Sequence, residues 1–330
     1  MNGNATWRSL LLIAVVCILV PAKNLSGEKK KTAPPPPKKV GEMVWPLPPE
    51  KPRIKYLTSV SSNLDVEPPK KKGWLQKMID EEEHINVVGM QRPSGIAVDS
   101  KDQVYIADTN KGAVFVFDLA SKTMAFLGNE GRGKLGKPFG IVIDSKDNVY
   151  VSDTNLKAVN VYDSQGTLTA SLRKIGKESI VNPTGLALDE ARNRLLIVDS
   201  QGHKVLVADL AHLGQGTSFG KKGDEDNELY FPSYAAVDKD GRIYITDTMN
   251  FCVKVFDKNF KFLKTLGEHG NAMGMFDRPK GIALDSEGNL YVVDMSFSNF
   301  QIFNPKGQLD RKSTRLNSSH IQKSRMPSSA

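Results

Sequence analysis

Apolar and polar residues alternate over short segments throughout residues 92–309, and turn-forming residues separate one segment from the next. A representative stretch runs from residues 95–99 through a polar turn to residues 104–108, and then to residues 113–117. Segments of about four to six residues that are rich in Val, Ile, Tyr and Phe are typical of β-strands. No amphipathic helical pattern separates them, which excludes folds that alternate strands and helices. The pattern therefore predicts an all-β chain.

The same unit of about 45 residues occurs five times. Each unit opens on a proline, and successive prolines are 45, 45, 49 and 47 residues apart. These prolines are Pro93, Pro138, Pro183, Pro232 and Pro279. Each unit holds four strand-like segments, and four antiparallel strands form one blade of a β-propeller. Because a single blade cannot bury both of its faces, we expect the blades to pack side by side around a central channel.

The units share a motif of Pro-x-Gly-apolar-Ala-apolar-Asp, then apolar-Tyr-apolar-x-Asp, then apolar-x-apolar-Phe-Asp. This motif resembles the NHL repeat, and the resemblance covers residues 92–309. The lead-in at residues 44–57 looks like that of bacterial exported NHL proteins. The resemblance implies a propeller of six blades with four antiparallel strands each, of which five are present in the sequence.

Both ends of the repeat region bear on the sixth blade. Residues 53–60 resemble a fourth strand that stands alone before the first unit, and we expect this segment to be the N-terminal closing strand of a propeller at residues 53–309. Residues 310–330 resemble a translated sequencing adapter, beginning DRKSTRLNSSH. We therefore expect residues 310–330 to be a disordered artefact, and the natural protein to continue differently after Leu309.

The first 22 residues are typical of a signal peptide. Arg8 supplies a positive charge, and residues 10–20 form an apolar run that is too short for the roughly 20 residues of a membrane-spanning helix. Small residues precede a cleavage point after Ala22. A lipoprotein modified at Cys17 and an uncleaved anchor are the alternatives. We expect an exported protein in the periplasm or attached to the cell envelope.

Two further segments precede the repeats. Residues 23–52 are rich in Pro and Lys and predict an extended, semi-rigid linker, with a ligand for a proline-binding domain as the alternative. Residues 73–83 place Trp74, Leu75 and Met78 on one helical face. We expect a short helix there that covers the edge of the propeller, or one that docks a partner.

The charge distribution limits the choice of partner. The chain has a formal net charge of +8, but residues 84–309 carry 26 Lys and Arg against 27 Asp and Glu, so the excess lies in the tails. A near-neutral repeat region and an export signal argue against nucleic acid. We expect membrane contact only through an N-terminal anchor, and a monomer. If Cys17 is removed, Cys252 has no partner for a disulfide.

Catalytic chemistry has little support in the sequence. The innermost strands carry no Asp, Glu, Asn or His between the glycine and the closing aspartate, and their one polar ring there is Tyr234. We predict no catalytic residue, no metal and no cofactor.

Two aspartates recur in every unit, and we interpret both sets as turn caps. A calcium site in one blade is the alternative. The first set is Asp99, Asp144, Asp189, Asp238 and Asp285, and the second is Asp108, Asp153, Asp199, Asp247 and Asp294.

The loops between blades, and those between the second and third strands, vary most from unit to unit. Residues 128–137, 173–182, 214–231 and 267–278 differ in length and charge on a regular scaffold, as binding loops do. Aromatic and Arg side chains are common anchors of protein interfaces. The candidate binding residues are Phe139, Tyr230, Phe231, Tyr234, Met249, Phe251 and Arg278.

These observations predict a non-catalytic, exported NHL-repeat propeller that acts as a protein-binding scaffold in the cell envelope. One alternative is an enzyme of lyase or lactonase type with a metal in the channel. Another alternative is a module that binds a carbohydrate or another small ligand.

Overall fold

A computed structural model describes residues 44–45, 54–66 and 87–312. The predicted signal peptide, most of the linker, the helix near residues 73–83 and the residues after 312 lie outside the described residues. Within them the chain forms five sheets of four antiparallel strands, which confirms the all-β propeller fold. None of the helices in this part of the chain is long and apolar enough to cross a membrane.

The five sheets are numbered as blades in chain order, and their strands are called first to fourth from the centre outwards. Blade 1 consists of Pro93–Val98, Val104–Asp108, Ala113–Asp118 and Thr123–Leu127. Blade 2 consists of Pro138–Ile143, Val149–Asp153, Ala158–Tyr162 and Leu168–Leu172. Blade 3 consists of Pro183–Asp189, Arg194–Asp199, Lys204–Asp209 and Gly216–Phe219. Blade 4 consists of Pro232–Val237, Ile243–Asp247, Cys252–Phe256 and Phe262–Leu266. Blade 5 consists of Pro279–Leu284, Leu290–Asp294, Asn299–Phe303 and Leu309–Lys312.

Short elements connect or flank the blades. Two-stranded sheets pair Val44–Trp45 with Ile54–Lys55, and Lys174–Ile175 with Glu178–Ser179. The 3-10 helices in the described residues are Asn63–Asp65, Gly131–Gly133, Glu190–Arg192 and Thr248–Asn250.

The first strands of successive blades contact one another, so the blades follow chain order around the centre. The glycine of the Pro-x-Gly motif permits this close approach. A Cβ atom at Gly185 would lie 2.5 Å from Cα of Tyr234, and one at Gly140 would overlap the carbonyl oxygen of Thr184. Any larger residue at these positions would therefore push neighbouring blades apart.

The core lies between the blades. In the second strand of blade 3, Leu195 and Ile197 pack into a cluster shared with blade 2, whereas Leu196 and Val198 pack into a cluster shared with blade 4. Alternate side chains of a strand point to opposite faces, so a blade with a neighbour on each side buries both faces. This explains why Arg194–Asp199 is almost continuously apolar.

Side-chain hydroxyl groups join one blade to the first strand of the next. The Ser94 hydroxyl donates to the carbonyl of Phe139 at 2.9 Å, and the Thr248 hydroxyl donates to the carbonyl of Pro279 at 2.8 Å. These bonds satisfy carbonyl groups close to the channel, where an unpaired polar group would be costly.

The segment before the repeats contacts both the first and the last blade. Ile54 packs against the buried side chains of Tyr291, Phe300 and Ile302 in blade 5. Val60 and Val66 pack against a cluster in blade 1 that includes Phe115 and Phe117. Residues 54–66 therefore cover apolar surface on two blades.

The predicted closing strand at residues 53–60 is shorter in the structure, where only Ile54–Lys55 is a strand and pairs with Val44–Trp45. The outer edge of the third strand of blade 5 is paired with Leu309–Lys312. This last strand extends to Lys312, so the first residues of the 310–330 segment pair with the third strand of blade 5.

Candidate functional site

The loops between blades and the loops between second and third strands lie on one face of the propeller, because successive strands of each blade run in opposite directions. We call this surface the loop face. It is formed by residues 109–112, 128–137, 154–157, 173–182, 200–203, 220–231, 248–251, 267–278 and 295–298. The tight turns between first and second strands lie on the opposite face. The loop between blades 3 and 4 begins at residue 220, since Gly216–Phe219 is a strand.

The second set of repeated aspartates organises the loop face. The Asp108 carboxylate accepts main-chain N–H bonds from Gln91 at 2.6 Å and Arg92 at 2.9 Å, and also from Asn110 and Lys111 at 3.0 Å. It therefore joins the segment before blade 1 to the loop between the second and third strands. The same arrangement recurs at Asp153, Asp199 and Asp294. These contacts confirm the turn-cap interpretation.

The first set of repeated aspartates caps turns on the opposite face. Asp99 accepts main-chain N–H bonds from Lys101 and Gln103, and the Tyr105 hydroxyl donates to it at 3.3 Å. Burial and the Asp99 charge raise the pKa of Tyr105 to about 12, so its hydroxyl stays protonated. Equivalent pairs form in blades 2, 4 and 5, whereas blade 3 has Leu196 at this position in the strand register.

Asp247, the aspartate of the second set in blade 4, lies in a different environment. It accepts the main-chain N–H of Tyr230 at 2.7 Å and the side-chain amide of Asn250 at 2.7 Å. The Lys254 ammonium lies 3.8 Å away. Burial outweighs these favourable contacts and raises the pKa of Asp247 to about 6. The same burial raises the pKa of the neighbouring Cys252 thiol to about 12, which leaves it unreactive as a nucleophile.

Lys254 fixes the long loop between blades 3 and 4. Its side chain is buried in the third strand of blade 4, and its ammonium donates to the carbonyl groups of Asp224, Glu225 and Glu228. A buried ammonium requires such partners, because an unpaired charge is strongly unfavourable away from water. The loop that carries Tyr230 is therefore held by a side chain from the strand beneath it.

Gln301 plays the same role in blade 5. It occupies the position of Lys254 in the strand register, opposite Val292 where Lys254 faces Ile245. Its side-chain oxygen accepts the main-chain N–H of Gly274 at 2.8 Å, and its amide donates to the carbonyl of Met275 at 2.7 Å. Sequence reasoning missed both residues. The available signal was a long polar side chain at the centre of an otherwise apolar third strand.

Tyr230 and Phe231 form an aromatic cluster with His203, a residue that the sequence did not single out. The His203 ring stacks on Tyr230 at 5.4 Å and meets the edge of Phe231 at 4.6 Å between ring centroids. The main-chain N–H of Phe231 donates to Nδ1 of His203 at 3.2 Å. Burial and the nearby Lys222 ammonium hold the pKa of His203 below its ordinary value, which favours the neutral ring.

Met249 and Phe251 lie beside this cluster. The main-chain N–H of Met249 donates to the carbonyl of Tyr230 at 3.1 Å. Phe251 has a φ of 57° and corresponds in blade 4 to His203 of blade 3, where φ is 54°. Its ring lies 4.3 Å from His269, in the next loop between blades. The structure therefore brings together four predicted residues, Tyr230, Phe231, Met249 and Phe251, along blades 3 to 5.

Exposed apolar side chains concentrate on the same face. Of the large hydrophobic residues exposed within the blades and their loops, only Leu119 and Leu263 lie elsewhere. Those on the loop face are Val181, Phe231, Met249, Met273 and Met295. Four of these five lie in the loops of blades 3 to 5, so exposed apolar side chains of the loop face are concentrated there.

The remaining predicted residues lie apart from this patch. Phe139 and Tyr234 belong to first strands, and their rings are 5.5 Å apart at the centre of the propeller. The Tyr234 hydroxyl donates to the carbonyl of Ser94 at 2.8 Å and so links blade 4 to blade 1. Arg278 is exposed, and its main-chain N–H donates a hydrogen bond to the Asp294 carboxylate at 3.3 Å.

In the part of the chain that the structure describes, no three His, Cys, Asp or Glu side chains gather as metal ligands.

The comparison with family models decides the type of repeat. The NHL repeat model matches residues 90–117 and 229–256, which cover the first three strands of blade 1 and of blade 4. The chain therefore carries NHL repeats within the five propeller blades that the structure describes. The other three blades show the same four-stranded order.

Curated relatives share short stretches with the NHL-repeat propeller. RING finger protein nhl-1 of Caenorhabditis elegans is 37% identical over 65 residues, which are 20% of this chain and 7% of the relative. NHL repeat-containing protein 3 of Homo sapiens is 34% identical over 89 residues, which are 26% of each chain. The matches thus span about a quarter or less of these relatives.

Solved structures share the fold over a larger part of the chain. A streptogramin B lyase aligns with a TM-score of 0.54 and 13% identity, over 68% of this chain and 70% of that chain. A chain from the nidogen/laminin complex aligns with a TM-score of 0.54 and 17% identity, over 70% of this chain and 81% of that chain. At these identities the likeness establishes the propeller fold alone.

Proposed function

We propose that this NHL-repeat propeller is a non-catalytic scaffold that binds a protein in the cell envelope, and that it does so through the loop face of blades 3 to 5. The observation that carries the proposal is the concentration of exposed apolar side chains there, among them Phe231, Met249, Met273 and Met295. Aromatic and Met side chains are enriched in protein interfaces relative to other surfaces. Exposed apolar patches on soluble proteins commonly mark binding sites.

The rigidity of the patch supports a binding role. Lys254 and Gln301 hold the two long loops from beneath, and Asp247 and Asp294 join these loops to the neighbouring turns. A surface whose backbone is fixed before binding loses less conformational entropy when a partner docks. The anchors Phe231 and Met249 are therefore presented on a rigid frame.

The centre of the propeller supports a non-catalytic role. The aromatic rings of Phe139 and Tyr234 lie there 5.5 Å apart, and the Tyr234 hydroxyl is bonded to the carbonyl of Ser94. The lyase among the structural neighbours shares the fold at 13% identity, which carries no catalytic residue over to this chain.

The signal-like residues 1–22, which lie outside the described residues, support the envelope location in this proposal. A periplasmic protein anchored at its N-terminus would present the propeller at the end of the Pro- and Lys-rich linker. A partner in the envelope would then be in the same compartment as the loop face.

The proposal is tested by affinity purification of the tagged full-length chain from its source cells. We expect Phe231→Asp to remove a protein that co-purifies with the wild type, because a charge replaces an apolar anchor. Leu119→Asp is the matched control, since Leu119 is 39% exposed on the opposite face and Phe231 is 37% exposed. Equal recovery of the same protein with both variants would contradict a loop-face interface, provided that circular dichroism shows both variants folded.

A further inference from the structure

Basic and acidic residues are separated on the loop face, although the net charge of residues 84–309 is close to zero. The loops of blades 1 and 2 (residues 109–112, 128–137, 154–157 and 173–182) carry eight lysines and arginines against two glutamates. We call this the basic half. Its cationic residues, all exposed, are Lys111, Arg132, Lys134, Lys137, Lys157, Arg173, Lys174 and Lys177.

The loops of blades 3 to 5 (residues 200–203, 220–231, 248–251, 267–278 and 295–298) carry the opposite charge. Six acidic residues stand there against three basic ones. We call this the acidic half, and it contains the apolar patch around Phe231 and Met249. Its acidic residues are Asp224, Glu225, Asp226, Glu228, Glu268 and Asp277.

Few of these charges are neutralised within the chain. In the acidic half, Glu228 pairs with Lys221 at 3.0 Å, and Asp277 lies 3.4 Å from His269. In the basic half, Glu178 pairs with Lys204 of blade 3 at 2.6 Å. Among the described residues, no ion pair neutralises a lysine or arginine of the basic half. Both halves therefore present charges that a partner could satisfy.

This separation of charge favours a partner with both signs of charge over a uniformly anionic one. A uniformly anionic partner, such as a nucleic acid or an acidic membrane surface, would be attracted to the basic half but repelled by Asp224, Glu225 and Asp226. A protein surface with one acidic and one basic half satisfies both sides at once, and complementary potentials of this kind favour specific association. The loop face itself is such a surface.

We propose that the partner of the loop face is a second copy of this chain, docked face to face about a two-fold axis. An axis that lies in the interface along the border between the halves places each basic half over the acidic half of the other copy. Such an isologous contact is the commonest form of homodimer, and it requires this kind of self-complementary surface. The apolar patch would lie within the contact. This inference rests on the proposed function, because it names the partner of the same surface.

Sedimentation velocity of the full-length chain tests the inference. We expect a dimer at about 50 mM salt that weakens at about 500 mM, because screening shortens the reach of charges. Lys134→Glu/Lys137→Glu/Lys157→Glu and Asp224→Lys/Glu225→Lys/Asp226→Lys should each weaken self-association about tenfold or more. An equimolar mixture of the two triple variants should form a heterodimer, because the reversed charges complement each other again.

A wild type that stays monomeric at low salt would overturn the inference, as would triple variants that self-associate like the wild type. Binding of a single-stranded oligouridine to a monomer, lost in the lysine variant, would show a nucleic-acid surface and overturn it as well. A third outcome separates this inference from the proposed function. In that outcome the wild type sediments as a monomer, while a different protein co-purifies with it and is lost in Phe231→Asp. That result would overturn the second copy as partner but would leave the protein-binding role of the loop face intact.

Discussion

The main-chain N–H of Phe231 donates a hydrogen bond to Nδ1 of His203 across 3.2 Å. Phe231 has a φ of 49°, a left-handed conformation that a bulky side chain seldom adopts without support. The bond, together with the ring contact at 4.6 Å, fixes the orientation of an exposed aromatic side chain. An imidazole nitrogen that accepts a bond is unprotonated, so the patch is built on neutral His203.

The first prediction concerns the pH dependence of this contact. Burial and Lys222 lower the pKa of His203, so the bond is fully present above the ordinary histidine pKa of about 6.5. Its contribution to stability is lost as the pH falls through the lowered pKa, because protonated Nδ1 cannot accept. The Phe231 amide resonance, followed by NMR, should shift over this range. His203→Gln should abolish the titration, and an unchanged Phe231 titration in that variant would contradict the assignment.

Removal of the buried ammonium should loosen the loop between blades 3 and 4. Lys254→Met leaves the carbonyls of Asp224 and Glu228 without their donor and Asp247 without its countercharge. We expect a loss of about 3 kcal/mol in the free energy of unfolding in urea, as for other broken buried pairs. The exposed Lys261→Met serves as control and should change stability by less than about 0.5 kcal/mol. Equal effects of the two substitutions would refute the anchoring role.

Asp247 should make the stability of the protein depend on pH. Burial raises its pKa to about 6, above the unfolded value, so its ionisation opposes folding as the pH rises from about 4 to 7. Asp247→Asn keeps an acceptor for the Tyr230 N–H but cannot ionise. Relative to this variant, the wild type should lose up to about 3 kcal/mol in the free energy of unfolding over that range. If the difference in free energy of unfolding between the wild type and Asp247→Asn does not change with pH, then Asp247 is not a buried carboxyl that ionises in the folded state.

Much of the fold could be predicted from the sequence because each blade repeats one local pattern. The alternation in segments such as Val104–Asp108 predicts strands, and the shared Pro-x-Gly predicts the close contact at Gly185. The number of strands per blade and their order follow from these local signals.

The candidate site was predicted only in part, because its supports are distant in sequence. Lys254 reaches carbonyls 26 to 30 residues away, and His203 contacts an amide 28 residues away. Phe139 and Tyr234 were grouped with the loops by residue type, although their strands turn them toward the centre. The charge segregation is visible only when the loops are ordered around the ring.

Tyr234 should contribute to stability and not to partner binding. Tyr234→Phe removes the donor to the Ser94 carbonyl while keeping the ring against Phe139. We expect a loss of about 1 kcal/mol in the free energy of unfolding, the ordinary net value of one hydrogen bond. Recovery of the co-purifying protein should match the wild type, and its loss would instead make Tyr234 part of the interface.

The most direct measurement of the central claim is photo-cross-linking in the source cells, with a photoreactive residue placed at single positions of the full-length chain. Met249 on the loop face is 42% exposed, and Leu263 on the outer strand of blade 4 is 48% exposed, so the two positions are equally accessible. We predict a discrete cross-linked protein band from position 249 and none from position 263. Cross-links of equal yield and mass from both positions would contradict a binding surface confined to the loop face.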